Sequence, residues 1–171
     1  KYALADLPEL LDAVSNHYAE RYGVKDIRHE EIMSIYGSQE GMAHIAMAIC
    51  DPGDVVLVPN PGYPVFTAGP FLCGAKVETY DLHPENNFLI EFDKIPEEQA
   101  RRAKMMIVSY PLNPVCVTAP DSFYEELITF AKKYNIIILH DNAYSDIIYD
   151  GRKGISILSI PGAKEVCVEF Y

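Results

Sequence analysis

The chain has 171 residues, long enough for one domain that buries roughly 70% of its unfolded surface, and its 14 basic and 25 acidic side chains leave a net charge of -11. So acidic a surface repels nucleic-acid phosphates, and no apolar run reaches the roughly 20 residues of a membrane-spanning helix. Lys1 begins no signal-like segment. The expectation is a cytoplasmic protein that meets neither nucleic acid nor membrane.

The elements follow in chain order. Asp6 and Glu9 form a capping-box pattern ahead of a helix whose Leu7, Leu10, Leu11, Val14 and Tyr18 share one face and which Gly23 ends. IMSIY (32–36) reads as a short strand. Met42, Ile45, Ala46 and Ile49 repeat at helical spacing until DPGD breaks the period. VVLV (55–58) is then a strand, followed by a helix through the sixties, the strand KVETYDL (76–82) and the strand MMIV (105–108). Phe123, Leu127, Phe130, Ala131 and Tyr134 mark a further helix, and the strands IIIL (136–139) and VCVEFY (166–171) close the series. IIIL and MMIV do not alternate polar with apolar, so helices cover both faces of their sheet. This predicts an α/β fold, a three-layer α/β/α arrangement around a mainly parallel sheet. No repeat, linker or low-complexity stretch divides residues 1–171.

Cys50, Cys73, Cys116 and Cys167 lie far apart with no CxxC pair and no histidines at ligand spacing. Zinc is not expected, and reduced thiols fit a cytosolic protein.

Ligands of open parallel sheets bind outside the carboxyl ends of the strands, and four such ends carry unusual chemistry. In GSQEG, Gly37 and Gly41 either relieve crowding in a tight turn, or the amides of Ser38 and Gln39 open a helix N-terminus that holds an anion. PNPGYP fixes Tyr63 between Gly62 and Pro64, as a stacking platform or as core. SYPLNP is a stiff turn around Asn113. HDNAY puts Asp141 at the end of consecutive aliphatics, where a carboxylate protonates or finds a cation, unless it serves as a loop cap; His140 points to the other face and no Arg or Lys is adjacent. A phosphate cradle, a ring platform, an amide donor, a buried carboxylate and the nearby phenol of Tyr144 together match pyridoxal phosphate (PLP), whose protonated ring nitrogen makes it an electron sink.

Over essentially its whole length the chain resembles the class I/II aminotransferases of PLP fold type I. The stretch GSQEGMAHIAMAICDPGDVVLVPNPGYPVF is most similar to LL-diaminopimelate and aspartate-type members. The resemblance implies that Asp141 pairs with the pyridine nitrogen, that Asn113 and Tyr144 bond the ring hydroxyl, that Tyr63 stacks on the cofactor, and that Ser38 and Gln39 belong to the phosphate turn. It also implies amino-acid and 2-oxo-acid substrates and a homodimer. Where this family reads NPTG the chain reads NPVC, with Val115 and Cys116 in the loop beside the cofactor. The family's cofactor-bound lysine follows a strand resembling VCVEFY, so we expect it after Tyr171, and its carboxylate-binding arginine lies further on, in the small domain. The chain then reads as part of a PLP-binding large domain. Two alternatives share the named residues: a carbon-sulfur β-lyase, and the effector domain of a PLP-binding transcription regulator. The acidic charge and lack of a basic winged-helix pattern argue against the latter.

Overall fold

The computed structural model describes residues 5–149 and 151–171. Its centre is a sheet of five strands, all parallel, in the order β2-β1-β3-β4-β5. The strands are β1 (Val55–Asn60), β2 (Lys76–Asp81), β3 (Ala103–Ser109), β4 (Ile137–Asp141) and β5 (Cys167–Phe170). The apolar runs of β1, β3 and β4 are buried almost throughout, as their lack of alternation predicts, whereas the two edge strands β2 and β5 are only partly covered.

The helices are α1 (Pro8–Tyr22), α2 (Ser38–Ile49), α3 (Val65–Leu72), α4 (Glu97–Arg102) and α5 (Asp121–Tyr134). The crossover carrying α3 leads from β1 outward to β2, while those carrying α4 and α5 run the opposite way across the sheet. Right-handed crossovers therefore put α3 on one face and α5 on the other. α2 packs against α3, and α5 buries Phe123, Tyr124, Leu127, Ile128, Phe130 and Ala131. The strand order reverses between β1 and β3, so the crevice at their carboxyl ends is a topological switch point, where ligands of such sheets bind.

Gly23 ends α1 in the left-handed conformation with φ 71°, as expected. Three expectations fail. Asp6 does not cap α1; its carboxylate accepts hydrogen bonds from the amide and hydroxyl of Ser34, and Leu7 stands at the cap position without a side-chain bond. The apolar face of α1 is only partly used: Tyr18 is buried, but Leu7 and Leu10 are exposed. IMSIY is not a strand, because β5 is the edge of the sheet on that side and residues 32–36 find no ladder partner. α4 has no counterpart in the periodicity reading. Its short sequence EEQARR is carried by Pro96 at the cap, glutamates in the first turn and arginines in the last, which complement the helix dipole.

Candidate functional site

The site lies at the carboxyl ends of β1, β3 and β4 and the N-terminus of α2. A cavity of about 320 Å³ is lined there by Ser38, Gln39, Tyr63, Asn113, Asp141 and Tyr144, all six residues singled out in the sequence. Tyr36, Gly37, Met42 and Ala143 complete the lining. Such a volume suits a small organic ligand.

Ser38 and Gln39 open α2 after Gly37, whose φ of 84° only glycine adopts without strain. Their N–H groups precede the first i to i-4 bond of the helix and sit at the positive end of its dipole. The Glu40 carboxylate reaches back along this first turn and accepts from the Tyr36 amide at 2.7 Å. At Gly41 the crowding reading holds: a Cβ there would stand 2.7 Å from Ile35 Cδ1 and collide with the Phe170 ring. The small residue lets the phosphate-turn candidate sit directly on β5.

Tyr63 follows β1 through a cis Asn60–Pro61 bond and meets Phe66 edge-on, with centroids 6.0 Å apart and planes at 81°. It is half-buried, one flank against the core and the other on the cavity. Asn113 ends a turn anchored on buried Tyr110 and Leu112, between cis Tyr110–Pro111 and cis Asn113–Pro114 bonds. The Tyr110 hydroxyl donates to Phe88 O at 2.8 Å, and the Cys116 amide closes the turn on Leu112 O at 2.6 Å. Cys116 has φ 56°, a left-handed conformation that favours glycine. This departure from NPTG puts an exposed thiol in the loop.

Asp141 is 5% exposed at the end of β4, paired in register with Ser109 of β3 and Phe170 of β5. Burial raises its carboxyl above the ordinary aspartate value, against opposing effects from the charge of His140 and the Ala143 amide. Its Oδ1 is buried with no hydrogen-bond partner. A carboxylate oxygen in that position calls for a donor from a ligand. A protonated pyridine nitrogen meets that demand, and the ring platform, amide, phenol and helix N-terminus around the same cavity match the rest of PLP. The residues fit the group.

A larger cavity of about 550 Å³ shares Asn113 and Tyr144 as its wall and continues past Cys116, Thr118, Ile147 and Arg152. No lysine lines either cavity among the described residues.

One feature of this region escapes the motif reading. His140, on the opposite face of β4 from Asp141, is fully buried and bonded to the equally buried Glu169 of β5 at 2.9 Å. The signal is a glutamate within the strand VCVEFY, since a carboxylate in a covered strand needs donors close by.

The profile of the family "Aminotransferase class I and II" matches residues 1–168, and the chain belongs to that family. Its match to the LL-diaminopimelate aminotransferase of Desulforudis audaxviator is 44% identical, covering 98% of this chain and 43% of that protein. The enzyme of the same name from Aquifex aeolicus is 43% identical over 95% of the chain and 42% of its own length. Among solved structures, substrate-bound BacF from Bacillus subtilis superposes with a TM-score of 0.93 at 34% identity, over 98% of this chain and 42% of that one. A probable N-succinyldiaminopimelate aminotransferase from Thermus thermophilus gives 0.87 at 33%, over 93% and 42%. The chain therefore spans about two fifths of the length of these relatives.

Proposed function

We propose that the protein carrying this chain transfers an amino group between an amino acid and a 2-oxo acid, with PLP held at the cavity around Asp141. The observation that carries the reading is the unpartnered, buried Oδ1 of Asp141 in a cavity that also holds Ser38, Gln39, Tyr63, Asn113 and Tyr144. When bound, PLP supplies a sink for the electron pair left on the substrate α-carbon as its proton departs. Asp141 accepts the hydrogen bond of the protonated ring nitrogen, and its negative charge keeps that proton in place. Asn113 and Tyr144 donate to the phenolic oxygen. Tyr63 covers one face of the ring, excluding water and fixing its plane, while the Ser38 hydroxyl and the first amides of α2 hold the phosphate. The stiff SYPLNP turn aims Asn113 before substrate arrives, which lowers the reorganisation needed during reaction.

We assign residues 1–171 to part of a large domain, and the covalently bonding lysine and the carboxylate-binding arginine to positions outside them. The nine lysines present are 1, 25, 76, 94, 104, 132, 133, 153 and 164, and none of those among the described residues lines either cavity. The family resemblance supports a cytoplasmic homodimer as the working form. No helix among the described residues is long and apolar enough to cross a membrane. Relatives named for LL-diaminopimelate make that amino acid the donor to try first. The test is to incubate the full-length protein with PLP, LL-diaminopimelate and 2-oxoglutarate and to measure glutamate. Cystathionine is assayed alongside. Glutamate formation supports the transaminase, whereas pyruvate from cystathionine without glutamate formation supports the β-lyase and overturns it.

A further inference from the structure

We propose that the buried hydrogen bond between His140 and Glu169 is a positioning device that fixes the aim of the Asp141 carboxylate at its ligand, an inference that rests on the cofactor reading above. Both side chains are wholly excluded from solvent. Glu169 is saturated: Oε1 accepts from the Tyr18 hydroxyl at 3.0 Å and the Ser156 hydroxyl at 2.6 Å, and Oε2 from the Ile157 amide at 2.9 Å and His140 Nδ1 at 2.9 Å. Because a carboxylate only accepts, His140 Nδ1 carries the proton of this bond. Nε2 is left buried with no partner, beside the edge-on Tyr124 ring at 5.6 Å between centroids. An apolar pair of the same volume would join these strands at least as well, since burying two ionisable groups costs several kcal/mol before their attraction is counted. Stability alone therefore gives a weak reason for the pair.

Its location gives a better one. His140 and Glu169 are direct cross-strand neighbours, and the next register pair is Asp141 with Phe170. Side chains alternate along a strand, so the clamp holds one face of β4 and β5 while Asp141 and Phe170 project from the other. Phe170 backs Gly41 in the first turn of α2, and its carbonyl accepts from the Asn142 amide at 2.9 Å. A slip of β5 against β4 would move the carboxylate and the helix N-terminus together. Tyr18 and Ser156 tie the same carboxylate to α1 and to the loop before β5, so Glu169 gathers three separate segments behind the site.

The experiment uses the full-length protein and PLP labelled with 15N in its ring. Three variants are compared with the parent for PLP dissociation constant, ring-nitrogen NMR shift and thermal midpoint. In Glu169→Gln the amide oxygen still accepts from His140 and Ile157, while the Tyr18 and Ser156 hydroxyls turn to accept from its NH₂. The double variant His140→Leu with Glu169→Gln removes the side-chain link between the strands, keeps their backbone ladder and leaves no charge at the pair. Asp141→Ala is the reference for losing the ring-nitrogen contact. We expect Glu169→Gln to match the parent in affinity and ring shift. The double variant should bind PLP about tenfold more weakly, the effect of one well-placed hydrogen bond to a charged group, and its ring shift should move toward the unprotonated position. A folded double variant with the parent's affinity and ring shift overturns the proposal, as does a full loss in Glu169→Gln alone. If Asp141→Ala keeps the parent's affinity and shift, the cofactor reading itself fails, a separate outcome. Should the double variant not fold, His140→Asn replaces it: its side-chain amide puts an N–H near the Nδ1 position and must retain both signals, and their loss overturns the proposal.

Discussion

Asp141 shows why a residue's type is legible in a sequence and its neighbourhood is not. Aliphatics running into an aspartate announce a buried carboxylate, but only the folded chain reveals an orphaned oxygen on one face of β4 and a saturated glutamate behind the other. Asp141→Ala in the full-length protein should cut turnover on the order of a hundredfold or more, the scale seen when a charge-stabilising group is deleted, with the fold intact. Asn113→Ala should lose roughly 1–2 kcal/mol, one neutral hydrogen bond. Equal losses in steady-state kinetics contradict the roles assigned.

The two buried carboxylates also predict opposite pH dependences for the unliganded protein. Burial raises Asp141 above its ordinary 3.8, so the unfolded state gives up this proton first, and stability from this group falls as pH climbs from 3.8 through the raised folded value. Burial also acts to raise Glu169, but the bond from His140, the charge of that ring and the bonds from Ser156 and Ile157 outweigh it and hold the carboxyl below its ordinary 4.5. Its stabilisation is fully present above 4.5 and is lost as pH falls through the depressed folded value. In urea titrations across pH, Asp141→Asn should flatten the rise-with-acidity contribution and Glu169→Gln the acid-side loss. Identical pH profiles in the two variants would contradict the environments described.

Elements whose burial is intrinsic to their sequence are legible in it, and those that depend on a remote partner are not. β1, β3, β4 and α5 announce themselves through unbroken apolar runs or a helical stripe. IMSIY has the same composition as a strand, yet a strand exists only where another backbone completes its ladder, and composition does not say where that backbone is. Asp6 likewise carries the cap pattern, but Ser34, distant in sequence, claims its carboxylate. Glycine positions fall between these cases. The motif offers crowding as one reading of both Gly37 and Gly41, yet nothing lies within 4 Å of a Cβ at Gly37, and the neighbours that crowd Gly41, Ile35 and Phe170, come from two different segments that only the fold brings together. Gly41→Ala should destabilise the protein by about 1–3 kcal/mol, the usual effect of overpacking, and should weaken PLP binding because the first turn of α2 must shift away from β5. A thermal midpoint equal to the parent's would show that β5 and α2 are not as tightly apposed as described.

At the scale of the whole molecule, the sheet gathers every proposed cofactor contact into one cavity, while no lysine among the described residues lines it. The 171-residue chain by itself should therefore fail to transaminate, and any PLP it binds should be held without a covalent bond to a single lysine. Some affinity is expected, because the α2 N-terminus, Tyr63 and Asp141 are all present. It should be weak, since binding must offset lost ligand freedom with only part of the family's contact set. Exposed Met33, Tyr36, Phe71 and Leu72 add apolar surface that favours self-association of the isolated chain, so the assay is run at low protein concentration with the oligomeric state recorded. The purified chain is mixed with PLP and reduced with borohydride, and pyridoxyl-lysine is mapped by mass spectrometry. Scattered, substoichiometric labelling of surface lysines such as Lys25 or Lys133 is the expected result, with no glutamate formed. A stoichiometric adduct at one lysine, accompanied by turnover, would place the covalent contact inside these residues and require Asp141 and its cavity to be rebuilt around that side chain.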